Sequence, residues 1–178
     1  SGRPILSFGN RGICYVEINH QEANRDLHSG QFGGPVPNPN WRVIDFLSTL
    51  GDSSGRGPIQ GFYDDIIPPT AAEKEVIARI PFNEAETRQY LGLKKFDGPE
   101  DVSYWEKIMF HPTLNICGYS SGYGGVGTKT VLPCKTRVKI DMRLVKSQDP
   151  SDIFKKFKKH MDKHGFGDLD LKLMTAYK

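Results

Sequence analysis

Arg137–Leu144, RVKIDMRL, alternates without a break: Val138, Ile140, Met142 and Leu144 fall on one side, Arg137, Lys139, Asp141 and Arg143 on the other. Period two with every apolar residue in phase predicts a strand with one face on a core and the other in water. Upstream, Leu114–Tyr119 is a short apolar strand, and Ile13–Asn19 alternates with Cys14, Val16 and Ile18 inward. Downstream, Asp149-Pro150 starts a helix carrying Ile153, Phe157 and Met161 every four residues, which Gly165 ends; Leu169, Leu171 and Leu173 mark a last strand. Between the first two strands, Asn38 and Pro39 form an N-cap and first-turn pair. The helix they open places Trp41, Ile44, Leu47 and Leu50 at helical spacing, which predicts that side as its core face. The order strand, helix, strand, strand, helix, strand predicts an α+β, ferredoxin-like two-layer sandwich: a four-stranded antiparallel sheet with both helices on one face. Its second strand, Leu114–Tyr119, lies at a sheet edge.

The segment from about 62 to 110 breaks this plan and reads as an irregular helical insertion. Thr70 caps one helix that stops before Pro81, Asn83 and Glu86 have capping-box spacing for a second closed by Gly92, and Pro99 opens a third through Trp105 and Ile108. Asp64 and Asp65 are adjacent, so their side chains diverge, and they are read as surface or capping residues.

The 178 residues suit a single domain, 1–178, with Ser1-Gly2 a candidate expression scar. A net charge of +3 is too small to imply nucleic acid or an anionic membrane as partner, and no long apolar run marks a membrane span. Without a signal peptide the expected location is cytoplasmic. Cys14, Cys117 and Cys134 are odd in number, widely spaced and in strand-like segments, which predicts reduced core thiols.

Several motifs carry less chemistry than their letters suggest. Gly122, Gly124 and Gly127 spell GxGxxG, but TKTVLP and a strand follow instead of the helix N-terminus a pyrophosphate needs, so the stretch is read as a flexible connection, with a substrate contact as the other role open to it. His160 and His164 are four apart in HMDKH, without the glutamate of HExxH, and suit a helix C-terminus. Lys155, Lys156, Lys158 and Lys159 are read as a solvated face, and His20 and His111 have no visible partners. No cluster has credible metal spacing, so no metal ligand is assigned.

The loop Asn24–Pro39, NRDLHSGQFGGPVPNP, holds a single histidine, His28, among small, polar and glycine residues. Such an imidazole either projects outward as a donor or base, or merely caps the helix that follows. RDLHSGQFGG, together with the opening PILSFGNRG, the DSSG turn before QGFYDDI, and GTKTVLP with MRLV downstream, resembles the carnosinase-like (cytosolic non-specific dipeptidase) branch of the two-zinc metallopeptidase family that also holds aminoacylase and succinyl-diaminopimelate desuccinylase. The resemblance covers nearly the whole chain. It implies a lid, or dimerisation, domain whose flanking catalytic domain, with two zinc ions, is absent here; neither the zinc-binding HxD-type motif nor the general-base glutamate is found. It implies a homodimer, a dipeptide substrate, no cofactor in this fragment, and inactivity alone. It also implies that His28 reaches into the partner subunit's active site to stabilise an oxyanion, and that Thr130 and Arg143 contact substrate, Arg143 through the two-pronged grip of a guanidinium on a carboxylate. The alternative from another class is a standalone ferredoxin-like binding module for RNA or protein, with only Tyr15 and Tyr119 available to stack on bases.

Overall fold

The computed structural model describes residues 9–51 and 57–178. Ser1-Gly2, most of PILSFGNRG and the DSSG turn lie outside the described residues. In chain order the elements are β1 (Gly12–Gln21), β2 (Leu27–His28), α1 (Ser29–Phe32), α2 (Pro39–Ser48), α3 (Ala71–Ala78), α4 (Glu84–Leu91), α5 (Tyr104–Phe110), β3 (Thr113–Ser121), β4 (Val131–Leu132), β5 (Lys135–Leu144), α6 (Pro150–Lys163) and β6 (Asp170–Tyr177). The main sheet has the order β3-β5-β1-β6, every pair antiparallel. That is the ferredoxin-like arrangement, with β3 and β6 at the edges.

Alternation builds the core. Val16 stands opposite Ile140 and Cys14 opposite Met142 across the β1–β5 pair, and all four are fully buried. Helix α2 lies across β5 and β1, and α6 across β1 and β6. Phe46 from α2 meets Phe157 of α6 edge-on at 5.9 Å and Phe166 at 5.4 Å, so three rings lock both helices to one face of the sheet. Asn38 accepts from Asn40 N and Asp149 from Ser151 N and Asp152 N, which caps α2 and α6 as their sequences predict.

The insertion follows its caps as well. Thr70 and Glu73 form a capping box on α3, Asn83 accepts from Glu86 N at the start of α4, and Gly92 closes α4 with φ 68°. The third helix starts later than Pro99 suggests. Ser103 accepts from Glu106 N and makes Tyr104 the first helical residue, because a hydroxyl that satisfies an orphan amide outweighs the fixed φ of proline. Phe82 stacks on Tyr104 at 4.3 Å, with Phe96 and Trp105 around them, a small aromatic cluster apart from the main core. Phe62 belongs instead to the main core, where its carbonyl accepts from Gln148 Nε2 at 2.7 Å.

Four further expectations need correction. The buried face of α2 is Val43, Phe46 and Leu50, flanked by Leu47, while Trp41 is 66% and Ile44 43% exposed. Two apolar stripes overlap in this helix; at about 100° per residue Trp41 lies roughly 160° round from Val43, and the sheet receives the stripe bearing Phe46. Of the cysteines only Cys14 is a core thiol, and burial pushes its pKa up to about 11. Cys117 is exposed on edge strand β3 and Cys134 half-buried between β4 and β5. The last strand starts one residue later than Leu169 suggests, at Asp170; Leu169 is buried ahead of it, and Leu173 within it is 42% exposed, because β6 is an edge with a bulge in its pairing to β1. The histidines read as partnerless are bonded: His20 Nε2 lies 2.9 Å from Glu22 Oε1, and the His111 carbonyl accepts from Arg11 Nη2 at 2.7 Å.

Candidate functional site

His28 is the last residue of β2 and the N-cap of α1. Two-residue strand β2 pairs with β4, Leu27 opposite Leu132 and His28 opposite Val131. Ser29 N donates to Thr130 O at 3.1 Å, and the Asp26 carboxylate accepts from Cys134 N at 2.9 Å. That backbone hydrogen bond, an acceptor's stabilisation of its charged form, holds the Asp26 carboxyl below the usual carboxylate range. The loop bearing His28 is therefore stitched on both sides to the segment that enters β5.

The stitching brings Thr130 to His28. His28 Nδ1 accepts from Gly30 N at 3.0 Å, so the imidazole does cap α1. Its other nitrogen, Nε2, lies 3.2 Å from Thr130 Oγ1, and both residues are exposed. The cap, one of the two alternatives open in the sequence, is thus formed, and it leaves Nε2 to Thr130. Beside the pair, the glycine-rich stretch forms an irregular loop with Gly122 and Gly127 at positive φ, leading into β4 and β5 and not into a helix. Lys129 Nζ sits 5.7 Å over the Tyr123 ring in that loop.

Arg143 is elsewhere. It lies near the opposite end of β5, eight residues beyond Lys135, roughly 26 Å away at about 3.3 Å per strand residue. It stands on the sheet face that carries no helix, and its Nε donates to Asp141 Oδ2 at 2.8 Å. Asp141 is only 9% exposed. It occupies the Nε edge of the guanidinium and leaves the two terminal nitrogens available. Sequence reading passed over Asp141 as a solvent-facing residue; its two-residue offset from Arg143 on one strand face was the available signal.

The remaining motifs settle into structural roles. His160 is 4% exposed with Nε2 3.0 Å from Thr49 Oγ1, and its ring is 4.3 Å from that of His164. Burial, then the neighbouring His164, lowers its pKa. Lys156, in the run read as solvated, is ion-paired with Asp65 at 3.0 Å and Asp152 at 2.7 Å. Tyr119 donates its hydroxyl to Asn40, and the Tyr15 hydroxyl accepts from Cys117 Sγ at 3.1 Å. Among the described residues no three His, Cys, Asp or Glu side chains are grouped to hold a metal ion, and no helix is long and apolar enough to cross a membrane.

The fold is that of a ferredoxin-like α+β domain, with the exposed His28–Thr130 pair beside its four-stranded sheet. The chain belongs to the peptidase dimerisation domain family of M20 peptidases, which it matches over residues 8–168. It is 32% identical over 160 residues to the Beta-Ala-His dipeptidase of Mus musculus, covering 90% of this chain and 32% of that protein. Among solved structures, the di-peptidase Dug1p from Saccharomyces cerevisiae superposes with a TM-score of 0.83 at 30% identity, over 97% of this chain and 37% of that one. The M20 family metallo-carboxypeptidase Sso-CP2 from Sulfolobus solfataricus gives a TM-score of 0.79 at 37% identity, over 92% and 37% respectively. The chain thus spans about a third of the length of these relatives.

Proposed function

We propose that this chain is the dimerisation and substrate-binding lid of a metal-dependent dipeptidase, and that two copies join to complete two active sites. The observation that carries this reading is the approach of His28 Nε2 to Thr130 Oγ1, 3.2 Å, between residues 102 apart in sequence. The pair sets two donor groups, an imidazole N–H and a hydroxyl, side by side on the exposed surface, where an oxyanion at a cleaved peptide bond would take up the hydrogen bond they share. Arg143, with Asp141 on its Nε, presents its terminal nitrogens to a C-terminal carboxylate, a group common to dipeptides and to the substrates of carboxypeptidases.

A dipeptide is far shorter than the separation of Arg143 from His28 along β5. The two groups therefore serve different active sites: Arg143 the site of its own chain, His28 and Thr130 that of the partner. Two zinc ions would be held by segments outside this chain, since the described residues supply no ligand set. By itself the lid is inactive.

The assembly surface follows from the α2 correction. Trp41 and Ile44 lie on the exposed side of α2, whose Asn40 accepts from Tyr119 of edge strand β3, and Ile116 and Tyr119 on that strand are 51% and 45% exposed. An unpaired strand edge flanked by apolar side chains suits a second copy of itself across a two-fold axis.

Subunit complementation in the longer enzyme tests the arrangement. One chain carries His28→Ala with intact metal ligands, the other intact His28 with its metal ligands removed, and each homodimer should be nearly inactive. After joint refolding, half the dimers should contain one working site, restoring about a quarter of wild-type activity. A mixture as inactive as its parents, with heterodimers demonstrated, would refute action across the dimer.

A further inference from the structure

The imidazole of His28 is engaged at both nitrogens: Nδ1 accepts from Gly30 N–H at 3.0 Å, and Nε2 faces Thr130 Oγ1 at 3.2 Å. A neutral imidazole carries one N–H. With Nδ1 accepting, that proton sits on Nε2, on the side of the exposed Thr130 hydroxyl. The opposite tautomer would set two N–H groups against each other at Gly30 and aim a lone pair at that hydroxyl.

Gly30 also makes the room the ring occupies. A Cβ at Gly30 would stand 2.8 Å from His28 Cε1 and 3.1 Å from Nδ1. Gly30 is not among the positive-φ glycines, so its backbone suits any residue and the constraint is the imidazole itself. The backbone on either side of His28 is fixed by the Leu27–Leu132 pairing and by Ser29 N to Thr130 O. Only the ring is free to yield to a side chain placed there.

We infer that Gly30 is a positioning residue for His28, its amide selecting the Nε2–H tautomer and its missing side chain leaving space for the ring. The inference rests on the reading of His28 as a donor to a developing oxyanion, because that task uses the proton on Nε2.

The test has two arms. Nitrogen–proton correlation across the imidazoles of the 178-residue chain, at a pH where they are neutral, should show His28 as the Nε2–H form. Ser29→Ala, which perturbs α1 without approaching the ring, should keep that pattern, and Gly30→Ala should lose it. An Nδ1–H ring in the wild type, or an unchanged pattern in Gly30→Ala, overturns the inference, the first even if the variant does not fold. In the longer enzyme Gly30→Ala and His28→Ala should each lower kcat by about a hundredfold or more, and the double variant should fall no further than His28→Ala alone. Losses that multiply would mean that Gly30 acts independently of His28 and would overturn the inference. If His28→Ala leaves kcat unchanged, the donor reading fails, while the tautomer measurement still decides whether Gly30 sets the ring.

Discussion

Tyr119 of β3 donates its hydroxyl to Asn40 Oδ1 at 2.8 Å, and Thr136 of β5 donates to the same oxygen at 2.7 Å. The first turn of α2 is thereby tied to the open edge of the sheet, which places Trp41 beside the unpaired strand.

If that edge and helix are the seam, Trp41→Ser should weaken self-association and leave the fold intact, since the indole is 66% exposed. A buried interface tryptophan is worth about 2 kcal/mol or more per truncation, so the dimer dissociation constant should rise at least thirtyfold. Ile116→Lys, which sets charge on the strand edge, should do the same. Sedimentation over a concentration series, with circular dichroism as the fold control, reads both. Dimers of unchanged affinity would place the seam elsewhere.

His160 makes stability depend on pH. Its folded pKa lies below the ordinary value near 6.5, chiefly because burial, and then the neighbouring His164, disfavours the imidazolium, while the hydrogen bond to Thr49 works the other way. Below that ordinary value the unfolded chain takes up a proton that the folded chain refuses. Stability from His160 is therefore full above about pH 6.5 and declines as pH falls towards the folded pKa, by no more than about 1.4 kcal/mol per pH unit for one proton. Urea midpoints measured between pH 7.5 and 5 should show the decline, and His160→Gln should remove the part centred there. A midpoint insensitive to that substitution at every pH would deny His160 the role.

Arg143→Lys should separate binding from chemistry in the longer enzyme. The lysine keeps the charge but loses the paired donors, so KM should rise about tenfold to a hundredfold with kcat little changed. Asp141→Ala, which releases the Nε edge, should act in the same direction with smaller effect. A dipeptide amide, lacking the carboxylate, should be cleaved equally poorly by wild type and Arg143→Lys. Unchanged KM for ordinary dipeptides would mean that Arg143 does not hold the carboxylate.

What the sequence by itself determined is the order of elements, and with it the ferredoxin-like plan with β3 at an edge, together with features that are local. Alternation in Arg137–Leu144 and Ile13–Asn19 identifies strands and their inner faces because side chains flip every residue, and Asn38, Thr70, Asn83 and Asp149 mark helix starts because their side chains bond amides two or three residues on. The His28 loop, Thr130 and Arg143 stood out by resemblance to the carnosinase-like family, with no indication of how they lie relative to one another. Tertiary structure decided that. Pairing of β2 with β4 sets His28 against Thr130, and the length of β5 sets Arg143 apart from both. Tertiary structure also chose between the two stripes of α2, left Cys117 on an edge, and buried His160 against Thr49. In each case the deciding contact joins residues distant in the chain, and periodicity and capping, which act over a few residues, carry no information about which distant surface will cover a given side.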